Sequence, residues 1–240
     1  SITIATLLPY ALVQKGQMIA TIKIIPFASS KSSVKKCIKI CKNNLPVIKV
    51  APFKYHNIGL LLTSFKNEDE NILKKTTKVI QSRIDSLGSK IKIQLTCNHD
   101  EVSISKGIKN LLENKCSPIL INGASAIVDS NDVIPLGIRM AGGSIVHYGM
   151  PVDPGNLLLI GKYKQTYIIG LPGCAKSPKL NGFDWMLWRV LADLPIQSKD
   201  IQSLGVGGLL NEIESRPQLR ENSINKSFTR KKVGAIILAA

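Results

Sequence analysis

The stretch Asn57-Ile-Gly-Leu-Leu-Leu-Thr63 decides the fold class of this 240-residue chain. The continuous apolar run from Ile58 to Thr63 is typical of a parallel strand that is buried on both faces of a sheet. Downstream, short apolar runs alternate with longer segments that carry apolar residues at helical spacing. Further strands are predicted at Ile91–Thr96, Pro118–Ile121, Ser144–Tyr148, Leu157–Ile160 and Tyr167–Ile169. Helices are predicted from Asn67 to Leu87, from Val102 to Leu112, from Asp132 to Met140 and from Asn181 to Asp193.

This alternation of strands and helices predicts an α/β fold, a three-layer sandwich with a mostly parallel sheet. Ligands of such folds bind beyond the carboxyl ends of the parallel strands. The functional edge of the molecule is therefore expected at Thr96–Asp100, Asn122–Asp132 and Leu171–Ser177.

The sequence pattern divides the chain into four regions. Residues 1–56 are expected to form a small β-rich segment, and residues 57–194 the α/β domain. Residues 195–232 lose the periodicity and are predicted to be a linker. Residues 233–240 have the composition of a strand but no local partner, which indicates the first strand of a further, truncated domain.

The composition is that of a globular protein. Hydrophobic residues make up 44% and charged residues 20%, and no apolar run approaches the roughly 18–20 residues of a membrane-spanning helix. The formal net charge is +16, carried mostly by lysine. Because no aromatic platform or recognition motif accompanies this charge, we interpret it as a solvated basic surface and expect neither nucleic acid nor membrane as a partner. The five scattered cysteines favour reduced thiols and a cytoplasmic location.

The most informative segment for chemistry is Asn122-Gly-Ala-Ser-Ala-Ile-Val-Asp-Ser-Asn-Asp132. Its small residues allow backbone N–H groups to approach a phosphate or acid oxygen closely, and a helix start adds positive potential. Asp132 is a candidate for binding Mg²⁺ or for orienting a phosphate. The alternative for Asp132 is an ordinary helix N-cap, which the spacing favours.

Three segments carry a resemblance to a known family: Asn122–Asp132, the turn Met150-Pro-Val-Asp-Pro-Gly-Asn156, and Leu171-Pro-Gly-Cys-Ala-Lys-Ser-Pro178. Their order on the α/β pattern resembles the MoaB/Mog-like molybdopterin-binding domain. Residues 121–188 are similar to that domain in proteins fused to a molybdenum cofactor nucleotidyltransferase, and Val233–Ala240 resembles the opening strand of such a nucleotidyltransferase. The resemblance implies a fragment truncated at both ends.

The resemblance further implies a molybdopterin-binding module of molybdenum cofactor biosynthesis. Its ligand would be molybdopterin, with Mg²⁺ and a nucleotide as additional candidates. The terminal phosphate of the pterin, or an activated nucleotide, would sit at the loop that ends at Asp132. The implied catalytic residues are Asp132 and Asp100, with Asp132 also as the metal ligand. The implied ligand-binding residues are Asn122, Gly123, Ala124, Ser125, Gly155, Pro172, Gly173 and Ser177.

Departures from the family pattern bear on catalysis. Ala124 and Val128 stand where the catalytic members carry glycine, and each added Cβ restricts the approach of the backbone to a phosphate. The acid expected after the second strand is either Asp100 or is replaced by His99. Binding is therefore favoured over catalysis. Two alternatives stay open: an active transferase that adenylylates molybdopterin or inserts molybdate, and a structural domain that positions a C-terminal nucleotidyltransferase. Self-association as a homo-oligomer is also left open.

Overall fold

The computed structural model describes residues 2–65, 70–210 and 232–238 of the chain. These residues form two compact units, one made of residues 2–53 and 232–238 and the other of residues 54–210. Within the described ranges, no helix is both long and apolar enough to cross a membrane.

Strands and helices occur in both units. The strands of the described residues are β1 (Ile2–Thr6), β2 (Leu12–Gln14), β3 (Ala20–Ile24), β4 (Ile48–Pro52), β5 (Asn57–Ser64), β6 (Lys90–Asn98), β7 (Ile119–Asn122), β8 (Ser144–Tyr148), β9 (Leu159–Tyr163), β10 (Thr166–Leu171) and β11 (Lys232–Leu238). The α-helices are α1 (Lys31–Asn43), α2 (Glu70–Asp85), α3 (Glu101–Glu113), α4 (Val133–Met140), α5 (Gly182–Leu191) and α6 (Ser198–Gln202). Every strand and helix predicted for the α/β region has a counterpart, in the predicted order.

The first unit contains two small antiparallel sheets and helix α1. Strand β1 pairs with β3, and β11 lies between β2 and β4. Helix α1 begins after Ser30, whose Oγ accepts a hydrogen bond from the Ser33 N–H at 3.2 Å. Large apolar side chains such as Ile22 and Ile24 are exposed. Residues 2–53 also contain eight lysines and no Asp, Glu or His, so this surface is both basic and apolar.

Strand β11 has partners, which differs from the unpaired strand that the sequence predicted for residues 233–240. It pairs antiparallel with β4, from Gly234↔Pro52 to Leu238↔Ile48, and antiparallel with β2. These partners lie about two hundred residues earlier in the sequence, and local patterns carry no information about such distant pairing. The assignment of this strand to a nucleotidyltransferase domain stays a prediction.

The second unit is an α/β sandwich, so the predicted fold class is confirmed. Its six-stranded sheet has the order β6-β5-β7-β10-β9-β8. Strands β6, β5, β7 and β10 are parallel, and β9 is antiparallel to both of its neighbours. Helices α2 and α3 pack against the parallel part of this sheet.

Burial on both faces explains the apolar sequence of β5. A Cβ added to Gly59 would lie 3.1 Å from the side chain of Leu111 on α3, so this face of the strand packs directly on the helix. Because side chains alternate along a strand, Leu60 and Leu62 point to the opposite face. Both are 0% exposed there, so β5 is covered on both sides.

The second unit extends beyond residue 194, into the region predicted as linker. Residues Ser198–Gln202 form α6, and Ile196 and Ile201 are buried. Leu209 then forms a parallel β-bridge with Asp153. A helix of this length is too short to produce a visible periodicity, which explains why the sequence pattern missed it. The remainder of the predicted linker, residues 211–231, lies outside the described residues.

We expect Gly137→Ala to destabilise the second unit. A Cβ at Gly137 of α4 would lie 2.6 Å from Cγ2 and 2.9 Å from Cβ of Ile104 on α3, so the two helices must separate. Overpacking costs about 1–3 kcal/mol, and the better helix propensity of alanine offsets about 1 kcal/mol of that cost. Urea unfolding followed by tryptophan fluorescence measures the net loss, because both tryptophans, Trp185 and Trp188, lie in α5.

Gly173→Ala is the matched control for this measurement. A Cβ at Gly173 would meet no atom within 4 Å, so its free energy of unfolding should equal that of the parent chain. A Gly137→Ala variant as stable as the parent would contradict the close packing of α3 on α4.

Candidate functional site

Four parallel strands bring their carboxyl ends to one edge of the sheet. Leu62 of β5 and Leu171 of β10 are both register partners of Asn122, at the end of β7. Strand β6 stays paired with β5 as far as Ser64↔Asn98. The segments that follow these strands therefore begin side by side, at the edge where α/β folds bind their ligands.

The turn after β8 joins the same edge. Strands β8 and β10 are each antiparallel to β9, so they run in the same direction. Residues 149–157 consequently leave the sheet at the edge where Leu171–Ser177 leaves it. All three segments that carry the family resemblance thus lie along this edge.

The loop after β7 is tightly folded. Asn122 is buried, and a Cβ added to Gly123 would lie 2.5 Å from the carbonyl oxygen of Ser125, so only glycine fits there. The Ala124 N–H donates to Thr63 Oγ1 at 2.9 Å, so the loop is hydrogen-bonded to the end of β5. The four ligand-binding residues predicted in this loop, Asn122–Ser125, therefore share one tight turn that is hydrogen-bonded to β5.

A chain of side-chain hydrogen bonds connects β5, the end of β6 and the loop after β7. Thr63 Oγ1 lies 2.7 Å from His99 Nδ1, and His99 Nε2 lies 2.8 Å from Ser125 Oγ. Phe65 packs edge-on against the imidazole, with ring centroids 5.1 Å apart. Of these residues, Ser125 is a predicted ligand-binding residue and His99 a possible replacement for the expected acid, whereas Thr63 was not predicted. The available signal was a polar residue at the end of an otherwise apolar strand.

The two predicted catalytic acids are both helix N-caps. Asp100 Oδ1 accepts the Ser103 N–H at 2.7 Å at the start of α3, and these hydrogen bonds lower the pKa of Asp100. Asp132 caps α4, where Oδ1 accepts the Val133 N–H at 2.7 Å and Oδ2 accepts the Val128 N–H at 3.2 Å. Each carboxylate is thereby committed to backbone donors.

The Mg²⁺ site that the sequence predicted at Asp132 stays a prediction. Nowhere in residues 2–65 and 70–210 do three His, Cys, Asp or Glu side chains cluster closely enough to hold a metal ion. Mg²⁺ is commonly held by one or two carboxylates together with waters and ligand phosphates, so it does not require such a cluster. In the structure, both oxygens of Asp132 accept backbone N–H groups. Asp132 therefore acts as a helix cap, the alternative that its spacing favoured.

The segment after β10 is held by a buried arginine. Residues Gly173–Lys176 form a 3₁₀ turn after Pro172. Arg83 of α2 donates through Nη1 to the Ala175 carbonyl at 2.8 Å and through Nη2 to the carbonyl of Ser177. Its Nε pairs with the Asp184 carboxylate of α5 at 2.9 Å, and both side chains are at most 10% exposed. The predicted residues Pro172, Gly173 and Ser177 thus share one rigid turn, in which Gly173 alone is exposed.

Gly155 has a packing role. Its φ is +141°, and an added Cβ would lie 2.7 Å from the backbone nitrogen of Gly182. The Gly182 N–H also donates to the Pro154 carbonyl at 2.9 Å. Glycine is therefore required at position 155 because the turn approaches the start of α5 at backbone distance. The structure brings Gly155 to the edge, in the turn that follows β8.

The cysteines near the edge are not activated. Burial raises the pKa of the Cys97 thiol to about 11, and the negative charge of Asp100 adds to the rise. Burial also raises the pKa of the Cys174 thiol. Because the thiolate is the nucleophilic form, these shifts oppose a nucleophilic role for either residue at neutral pH.

The edge consequently combines a tight loop of small residues, an exposed hydroxyl and an open position at Gly173. Ser125 Oγ is the exposed end of the hydrogen-bond chain that begins at Thr63. Hydroxyl donors and small residues suit an oxygen-rich polar ligand that approaches the backbone closely. The site therefore supplies neutral hydrogen-bond donors, while Asp100 and Asp132 serve as helix caps.

Sequence comparisons find no relative. No family model matches the chain, and no curated protein matches it.

Solved structures similar to the chain include three proteins. The molybdopterin biosynthesis MoeA protein from Pyrococcus horikosii matches at 20% identity and a TM-score of 0.44, over 58% of this chain and 35% of that protein. A molybdenum cofactor biosynthesis protein from Corynebacterium diphtheriae matches at 11% identity and a TM-score of 0.38, over 56% of this chain and 91% of that protein. The molybdopterin biosynthesis enzyme MoaB from Thermus thermophilus matches at 16% identity and a TM-score of 0.39, over 65% of this chain and 99% of that protein. The chain thus spans about a third of the Pyrococcus protein.

Arg83→Ala should cost about 3 kcal/mol of unfolding free energy, because it leaves the buried Asp184 carboxylate and two turn carbonyls without their partner. Lys74→Ala on the same helix is the control. Its pair with Glu70 is exposed on both sides, so the loss should stay below about 0.5 kcal/mol. Urea unfolding of both variants tests the difference, and equal losses would contradict the clamping role of Arg83.

Alkylation of Cys97 by iodoacetamide should be slow in the folded chain. With a pKa of about 11 against 9.0 for an ordinary thiol, its thiolate fraction at pH 8 is lower by about a hundredfold. Peptide mass spectrometry of native and urea-unfolded chains measures the two rates from pH 7 to pH 11. Since the folded thiol keeps its proton longer, this group destabilises the fold progressively above about pH 9. Equal native and unfolded rates would refute the shift.

Proposed function

We propose that the second unit is a molybdopterin-binding module of molybdenum cofactor biosynthesis. It acts in the cytoplasm, and a nucleotidyltransferase is its neighbour in the complete protein. The proposal is supported by the resemblance of residues 121–188 to the MoaB/Mog-like domain. The observed α/β sandwich is the fold that this resemblance implied.

One observation carries the proposal: the three resembling segments lie on a single edge. Asn122 and Leu171 are direct register partners although 49 positions separate them in the sequence. The turn that contains Gly155 leaves the same edge after β8. The carboxyl ends of the parallel strands are where α/β folds bind their ligands, so the three segments lie where a shared ligand would be expected.

The local geometry is compatible with a phosphorylated pterin. The loop Asn122–Ser125 places small side chains and an exposed hydroxyl at the end of β7, where the resemblance locates the terminal phosphate. Gly173 lies on the adjacent turn, with open space where its side chain would be. Backbone and hydroxyl donors at such a loop favour an anionic group.

Binding is favoured over adenylyl transfer. Both acids that the resemblance implied as catalytic, Asp100 and Asp132, use their carboxylates to cap helices. Ala124 and Val128 also stand where the catalytic members of the resembling family carry glycine, and each Cβ restricts the approach of the backbone to a phosphate. We therefore propose a module that holds molybdopterin for a catalytic partner.

Gly173→Leu tests the site without disturbing the fold. A side chain at position 173 enters open space, so the protein stays folded while a leucine obstructs the proposed ligand. Isothermal titration with molybdopterin should show affinity at least about tenfold weaker than that of the parent, a loss of about 1.4 kcal/mol.

Glu113→Leu is the matched control. Glu113 is exposed at the end of α3, which leads back to the amino end of β7, so the same leucine is added at the opposite edge. Its affinity should equal that of the parent. If Gly173→Leu binds molybdopterin as tightly as Glu113→Leu, the ligand does not bind at this edge.

A further inference from the structure

The hydrogen-bond chain at the edge begins at a buried hydroxyl. Thr63 is 0% exposed at the end of β5, and its Oγ1 accepts the Ala124 N–H at 2.9 Å. Among the described residues, the other partner of this hydroxyl is His99 Nδ1 at 2.7 Å. The Ala124 N–H is a donor only, so the Thr63 proton must be donated elsewhere.

Donation from the Thr63 hydroxyl to His99 fixes the direction of both hydrogen bonds in the series from Thr63 to Ser125. A buried hydroxyl proton without an acceptor costs about 1–3 kcal/mol, so Thr63 donates to Nδ1 of the imidazole. A neutral imidazole that accepts at Nδ1 carries its proton on Nε2. Nε2 then donates to Ser125 Oγ, 2.8 Å away.

Ser125 therefore keeps its own proton for an external acceptor. Its oxygen accepts from His99, and its side chain is exposed at the loop after β7. The neighbouring backbone is fixed because Ala124 is hydrogen-bonded to Thr63. A hydroxyl polarised by a donor behind it is a stronger donor to an anionic oxygen in front of it.

The two carboxylates that cap helices at the edge do not compete for this role. Asp100 and Asp132 accept backbone N–H groups at the starts of α3 and α4. A carboxylate repels an anionic ligand unless a cation bridges the two, whereas a hydroxyl donor attracts it directly. Ser125 is therefore better suited than Asp100 or Asp132 to contact an anion directly.

We propose that His99 is a positioning residue, which accepts a hydrogen bond from the Thr63 hydroxyl and holds Ser125 with its hydroxyl directed at the phosphate of the ligand. The site thereby binds the phosphorylated pterin without a divalent cation. This inference rests on the proposed function and deepens it, because it assigns the anion-binding group and removes the requirement for Mg²⁺.

The protonation of His99 can be measured without any ligand. Long-range ¹H–¹⁵N correlation spectra of the full chain labelled in its three histidines distinguish the two neutral tautomers. The Nε2–H tautomer is expected for His99 at pH 8, and Thr63→Ser, which keeps the hydroxyl, should preserve it. A parent chain with the proton on Nδ1 would overturn the inference.

Titration with molybdopterin in the presence of EDTA tests the role in binding. The parent should bind as tightly with EDTA as with Mg²⁺. Ser125→Ala should weaken binding at least about tenfold, the contribution of one hydrogen bond to a charged group. His99→Leu should weaken it about threefold or more, and His99→Gln, whose amide N–H replaces Nε2–H, should recover most of the loss.

The double variant separates positioning from simple structural damage. If His99 acts through Ser125, the variant His99→Leu/Ser125→Ala binds no more weakly than Ser125→Ala alone. A parent that binds no molybdopterin overturns the proposed function and this inference with it. A parent that binds only with Mg²⁺, or a double variant whose losses add, overturns the inference alone.

Discussion

The burial of β5 is the constraint on which the second unit depends. This strand is hydrogen-bonded on both edges, to β6 and β7, and covered on both faces. No polar side chain can lie in its middle without a partner, so polar groups are confined to its ends. Thr63 is the first polar side chain at the carboxyl end, and it is satisfied by the loop after β7 and by His99. The location of the site therefore follows from the way the central strand is buried.

Arg83 provides a second constraint, because it connects segments that are distant in the sequence. Its guanidinium links α2 to α5 and to the turn after β10 in one group of hydrogen bonds. The planar fork of arginine is suited to this task, because it can serve a carboxylate and several carbonyls at once with one ordered side chain. The turn that contains Pro172 and Gly173 is thus held by a residue about ninety positions earlier in the sequence.

The sequence predicted what depends on local pattern. The apolar run of β5, the helical spacing and the small-residue loop gave the fold class, and the parallel strands located the edge of the sheet. The N-cap alternative for Asp132 also followed from its spacing. The pairing of β11, the clamp at Arg83 and the link from Thr63 through His99 to Ser125 join residues that are distant in sequence. Such contacts leave no periodic signal, because each depends on how the completed sheet is packed.

The first unit has an unusual charge composition, because its charged side chains are all basic. Residues 2–53 contain neither carboxylates nor imidazoles, and all sixteen acids and all three histidines of the protein lie elsewhere in the chain. The charged side chains of residues 2–53 are eight lysines. Between about pH 3 and pH 8, acidification therefore changes no side-chain charge within this unit, while it makes the remainder of the chain more positive. The first unit therefore keeps a constant positive charge over this pH range. Any loss of structure caused by acid must originate in residues outside this unit.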